Sequence, residues 1–187
     1  MIQDYQTNMV YLARGLSHYG QVCRNLLEAL HREQIHAEFL PYTSSYKHVW
    51  VRDYMPIQLE KTLFFLYQYW PDYLLGYDGY IPDILKIIKH LDLDRIYTMN
   101  NSKIQSMVII DNLHHGRIPK EIFLDGGNFV KCGDKVIMTD KIFKENEWME
   151  RKDLLSTLED YLQVQIVIIP WDRYEIFGHS DGMVQWI

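Results

Sequence analysis

Three times along these 187 residues an amphipathic helical stretch gives way to a short run of strand-forming residues and then to a segment bearing acidic or imidazole side chains beside glycine or proline. A recurrence of that kind restricts the chain to a few folds. Apolar residues fall at helical spacing at Val22, Leu26 and Leu30, at Ile81, Ile84, Leu85, Ile88 and Leu91, and at Leu154, Leu155, Leu158, Tyr161 and Leu162, so each stretch predicts a helix with one buried stripe. Pro82 near the start of the second suits a first helical turn, where a missing amide donor costs nothing. Behind them come Ala37 to Leu40, Met107 to Ile110 and Val164 to Ile169, too short for helices and rich in strand formers. Thr62 to Tyr69 and Lys135 to Thr139 add further strands, which makes the unit about two strands, a helix and a strand. The expectation is one α/β domain over 1–187 in which repeated units bring distant segments to a common centre; an open α/β sheet shares the same element order.

Each unit ends in a polar segment. In Trp50-Val-Arg-Asp-Tyr-Met-Pro56, an Arg-Asp pair is expected at a strand end, with Asp53 aimed into a cleft or else held in a surface ion pair. Leu124-Asp-Gly-Gly-Asn-Phe-Val130 fits a tight hairpin or bulge that needs positive φ. Its glycines would equally let a substrate or another backbone come close, with Asp125 positioning the bound group. In Gly178-His-Ser-Asp-Gly182 the His and Asp stand two apart, so on a strand they would share one face. That pair suits general acid/base chemistry beside a cation, metal ligation, or a polar turn. The tyrosines at 54, 67, 69 and 73, together with Trp70, could wall a pocket but read first as core, and the other seven histidines, among them His48, His114 and His115, have no partner at ligand spacing.

Taken in order, Trp50-x-Arg-Asp-x-x-Pro56, Asp125-Gly-Gly-Asn128 and Gly178-His-x-Asp-Gly182 resemble the bacterial agmatine deiminase and peptidylarginine deiminase family. The likeness runs from about Trp50 to Ile187 and weakly includes the first helix. It implies the pentein fold, an α/β propeller of five ββαβ units, of which about three are present here. It further implies hydrolysis of a guanidinium C–N bond of agmatine or free or peptidyl arginine to a ureido product and ammonia, without metal or organic cofactor; the agmatine case belongs to putrescine biosynthesis. A guanidinium is flat, cationic and forked, so two carboxylates can grip it by paired N–H bonds. By the family match those are Asp53 and Asp181, with His179 as general acid/base and Trp50, Arg52, Asp125, Gly127 and Asn128 around the substrate.

This sequence departs from the family in Asp125, where agmatine deiminases usually have Glu, and in Met55, where Gly is common. The larger departure concerns the nucleophile. Family members attack with a cysteine from a Gly-rich His-Cys segment well beyond the Gly-His-x-Asp motif, whereas only Cys23 and Cys132 occur here and the sequence ends five residues after Gly182. A C-terminally truncated, catalytically silent deiminase is therefore the expectation, stabilised by self-association or by a separate C-terminal fragment. Two alternatives stand beside it: a non-catalytic pentein-like guanidine-binding or interaction module, and a metal hydrolase built on His179, Asp181 and Asp125.

A net charge of -6 and no clustered Lys or Arg exclude a nucleic-acid or anionic-lipid surface. Two cysteines build no disulfide framework, and the N-terminus lacks the basic and apolar regions of a signal peptide, so a reduced, cytoplasmic protein is expected. No apolar run reaches bilayer-spanning length.

Overall fold

The computed structural model describes residues 1–41, 48–61, 63–69, 71–77, 80–91, 96–97 and 122–185. Leu, Ala, Glu and Arg, all strong helix formers, fill α1 (Gly20–Arg32), and His31 and Arg32 place positive charge against the carbonyl end of its dipole. Gln34 then turns left-handed at φ 57°, and the Ile35 amide closes the end on the Leu30 carbonyl at 2.8 Å. The chain runs directly into β2 (His36–Phe39), parallel to β1 (Met9–Leu12). The same device recurs later. In α4 (Arg151–Leu162) the helix stops at Gln163, φ 54°, and β8 (Gln165–Ile169) follows, parallel to β7 (Lys135–Thr139).

Four further strands complete a pattern. β3 (Ile57–Glu60) pairs antiparallel with β4 (Leu63–Phe65), which lies parallel to β5 (Ile96–Tyr97) beyond α2 (Ile84–Leu91). β6 (Val130–Cys132) pairs antiparallel with β7 in the same way, and the short α3 (Lys141–Glu145) precedes α4. Among the described residues there are thus three small sheets, one of two strands and two of three, each with a parallel pair bridged by helix. The strand-helix-strand order read from the sequence is the observed one, and the architecture is α/β. β1, β3 and the two-residue β5 were missed because strands of two to four residues carry too little alternation to register. The expected strand from Met107 to Ile110 and the His114-His115 pair lie outside the described residues.

The predicted α4 stripe is the centre of the core. Leu154, Leu158 and Leu162 are essentially fully buried against Val136, Met138 and Ile142, and each contributes about 2 kcal/mol through burial. Leu158→Ala is expected to cost about 3 kcal/mol in urea unfolding; a loss below about 1 kcal/mol would mean that the site closes over the cavity. The α1 stripe differs from expectation. Val22 is 61% exposed and Leu26 sits at the edge of exposure, and the buried residue of that helix is Cys23. Pro82 stands two residues ahead of α2, where the Asp83 carboxylate accepts from the Lys86 amide at 3.1 Å and begins the helix. No described helix is long and apolar enough to cross a membrane.

Candidate active site

Main-chain hydrogen bonds tie the three polar segments together. The Gly126 amide donates to the Asp53 carbonyl at 2.8 Å, and the Asp181 amide donates to the Gly127 carbonyl at 3.1 Å. The buried Tyr67 hydroxyl also donates to the Asp53 carbonyl, at 2.7 Å. Residues 53, 126–127 and 181 are therefore stacked as successive layers. Such stacking explains the paired glycines better than turn chemistry does. Neither Gly126 nor Gly127 has positive φ; they form a 3-10 turn. A Cβ on Gly126 would lie 2.0 Å from the Arg52 carbonyl oxygen, and one on Gly127 would lie 2.3 Å from His179 Nδ1. The segments around Asp53 and His179 are turns and not strands, so the side chains converge through loop packing and not through strand alternation.

At the centre, His179 Nε2 lies 3.0 Å from Asp125 Oδ2 and Nδ1 lies 3.9 Å from Asp181 Oδ1. Asp125 is 2% exposed and fixed on both oxygens: Oδ1 accepts from the Gly127 amide at 2.9 Å, and Oδ2 accepts from the Tyr73 hydroxyl at 2.6 Å. Asp53 is buried beside them. Ligand-capable atoms of Asp53, Asp125 and His179 all fall within 4.8 Å of one another, a spacing that could hold a divalent cation. Asp181 is exposed on the other side of the imidazole, with Arg52 Nε 3.5 Å from its Oδ2.

Three carboxylates face one imidazole and one guanidinium here, and the titration of the groups reflects it. Burial, followed by repulsion from Asp125, pushes Asp53 up to about 7. For His179 burial works against the imidazolium, but Asp125, Asp53 and Asp181 outweigh it and hold the ring above its usual range. A site that raises both an acid and an imidazole in this way is short of positive charge. It favours a cationic ligand.

His179 lines two cavities. The larger, 470 Å³, is walled by aromatic and aliphatic side chains, Trp50, Tyr69, Tyr73, Tyr77, Tyr80 and Phe177 foremost, with Asp53 and His48 also lining it. The smaller, 320 Å³, is lined by Asp181, Asp172, Glu175, Trp171 and Met183. Tyr69, 2% exposed, belongs to the core as expected and also borders the cavity, whereas Tyr73 lines the cavity and holds Asp125. His48 stands two residues before Trp50 but had no partner at ligand spacing, so nothing in the sequence singled it out. Tyr54 and Tyr67 do belong to the core, and Trp70 lies outside the described residues.

Of the residues named from the sequence, Arg52, Asp125, Gly127 and Asn128 line neither cavity. Arg52 Nη2 donates to the Phe129 carbonyl at 2.8 Å, so its guanidinium braces the framework between Asp4 and Asp181. Asn128, 1% exposed, accepts from the Thr139 amide at 2.7 Å through Oδ1 and locks β7 to the Gly-Gly turn. Neither cysteine lines either cavity: Cys23 is buried in α1 and Cys132 in β6, where burial pushes its thiol up.

No protein-family model and no curated protein matches the sequence. Solved structures do match the fold. A substrate-bound cysteine-to-serine variant of C. jejuni agmatine deiminase superposes with a TM-score of 0.55 at 12% identity, covering 93% of this chain and 57% of its own. A second structure of C. jejuni agmatine deiminase gives a TM-score of 0.58 at 13% identity, covering 93% and 56%. The fold is accordingly of the pentein type. This chain spans just over half the length of the agmatine deiminases it matches.

Proposed function

We propose that these residues form the guanidinium-binding part of a deiminase, built from about three ββαβ units of a five-unit propeller. The observation that carries the reading is the cluster of Asp53, Asp125 and Asp181 about His179, with Asp53 lining the aromatic-walled cavity, Asp181 the smaller one and His179 both. A divalent ion would satisfy the charge but would make no use of that cavity. A flat cation with an alkyl tail uses both: its N–H groups meet Asp53 and Asp181, and its chain lies against the rings.

In this reading a cysteine thiolate attacks the guanidinium carbon. The C–N bond breaks as His179 protonates the departing nitrogen, and ammonia leaves. His179 then takes a proton from water, which attacks the same carbon and expels the thiolate to leave the ureido product. Asp125 keeps the imidazole oriented and favours its protonated form. Cys23 and Cys132 are unsuited to attack, since neither reaches a cavity and burial disfavours the Cys132 thiolate, so the thiolate comes from further polypeptide. The variant chosen for the substrate-bound neighbour, a cysteine changed to serine, agrees with thiolate chemistry in that protein.

Agmatine is the preferred ligand over free arginine. Among the described residues that line the aromatic cavity there is no Lys or Arg to meet an α-carboxylate. Calorimetric titration at pH 8 tests the reading: agmatine binds, arginine binds more weakly, and putrescine, which has an amine but no guanidine, binds least. Equal affinities for agmatine and putrescine would defeat it. Incubation of these residues alone with agmatine yields no ureido product.

Binding also depends on pH in a definite direction. Asp53 titrates at about 7, and a guanidinium needs it ionised. Below that value agmatine affinity falls by about tenfold per pH unit, with uptake of ligand releasing a proton. Loss of a proton from His179 strengthens binding in the same direction. Kd measured from pH 5.5 to 8.5 in buffers of different ionisation heat reads both effects, and a flat profile would exclude Asp53 as a contact.

A further inference from the structure

Beside the site lies a buried cation that the chemistry above does not use. Lys141 opens α3 immediately after β7, and its side chain is 1% exposed. Its ammonium donates to the Phe177 carbonyl oxygen at 2.8 Å and is ion-paired with Asp72 Oδ1 at 2.9 Å and Glu145 Oε1 at 3.2 Å. The Tyr73 ring lies 4.9 Å from Nζ and the Trp171 ring 5.7 Å. Burying an ammonium costs several kcal/mol, on the order of what three good contacts return, so a bare stability argument gives little reason for it.

Its partners are the informative part. Asp72 immediately precedes Tyr73, whose hydroxyl fixes Asp125, and Phe177 stands two residues before His179. A single ammonium thus joins the segment that orients Asp125 to the segment that carries the imidazole. Gly178 lies between, at φ 65°, and a Cβ there would meet Lys141 Cδ at 2.3 Å, so the turn is moulded on the lysine stem. Thr139, two residues before Lys141, donates to the Gly178 carbonyl at 2.6 Å and seats the same turn from β7.

We propose that Lys141 is a positioning residue which sets the approach of His179 to Asp125 by holding the Asp72–Tyr73 and Phe177–His179 segments from one buried point. What that pair does for a ligand rests on the guanidinium-binding reading; the positioning does not. Glu145, which burial pushes up to about 7, sheds its charge readily and keeps the centre near neutrality with Asp72 ionised. Lys144 also reaches Asp72, at 2.7 Å, from the exposed side.

The imidazole of His179 reports the outcome by NMR titration in the wild-type protein, Lys141→Met and Lys141→Arg, with its signal assigned from His179→Gln. The charged groups that face the ring are Asp125, Asp53 and Asp181. If Lys141 positions the pair, Lys141→Met lowers the His179 pKa by about one unit because the ring loses its close carboxylate, and Lys141→Arg restores most of it. If Lys141 acts only as a nearby positive charge, its removal raises that pKa, and a purely structural role leaves it unchanged in folded protein. Either result overturns the proposal. Should Lys141→Met not fold, the double variant Asp72→Asn, Lys141→Met removes the stranded carboxylate and is read identically; failure of both to fold assigns Lys141 a structural role and also overturns it. Agmatine affinity measured on the wild type separates the two ideas: absent binding with a lowered pKa in Lys141→Met refutes the ligand and keeps the positioning.

Discussion

Asp53→Asn is expected to weaken agmatine binding by at least about a hundredfold at pH 8, because a buried charge-assisted contact is replaced by a neutral one. The same change is expected to make the protein more stable. Asp53 has a folded pKa near 7, above its unfolded value of 3.8, so folding favours its protonated form. Its contribution is favourable below the unfolded pKa and is lost as pH rises through the folded one. At pH 8 the full cost of an ionised, poorly paired carboxylate is present, and Asn removes it, for a gain of about 2 kcal/mol that shrinks toward pH 4. Urea unfolding at pH 5 and 8, set beside calorimetry, reads the opposed effects. A variant that lost both affinity and stability would point to Asp53 as a framework residue.

The glycine pair supplies the second large effect, and the two positions should part company. A Cβ on Gly126 meets the Arg52 carbonyl oxygen at 2.0 Å and the Tyr67 hydroxyl at 2.7 Å, both held in the interior. Nothing there can swing aside. Gly126→Ala is expected to cost about 3 kcal/mol or to prevent folding. The nearest atoms to the Cβ of Gly127→Ala are those of the His179 ring, which borders open cavities and can rotate into them. Its stability cost is about 1 kcal/mol, while agmatine affinity falls at least about tenfold as the imidazole leaves Asp125. Equal stability losses at the two sites would show that the ring is held more firmly than its surroundings indicate.

Much of the frame was open to a reader of the sequence, and the physical reasons divide cleanly. Long periodic segments carry their own signal, which is why Leu154, Leu158 and Leu162 announced the core of α4. Periodicity says which residues are apolar but not what covers them. Val22 and Leu26 lie on the right spacing and still face outward. The three polar motifs were visible as motifs, yet their meeting depends on main-chain bonds from Gly126 to Asp53 and from Asp181 to Gly127, across more than fifty residues each, which no local pattern encodes. Arg52 and Asn128 sit within those motifs but turn to the frame, since motif membership does not fix side-chain direction. Tyr73 and Lys141 carried no motif at all. Their importance arises only from what the fold brings beside them.

A crystal structure with agmatine at pH 8 tests the central claim most directly. The account predicts a planar group beside His179 with its nitrogens within hydrogen-bond reach of Asp53 and Asp181, and an alkyl tail against Trp50 and Tyr73 in the aromatic cavity. A well-ordered agmatine bound elsewhere, or a metal ion seated between Asp53, Asp125 and His179 with agmatine excluded, would contradict it.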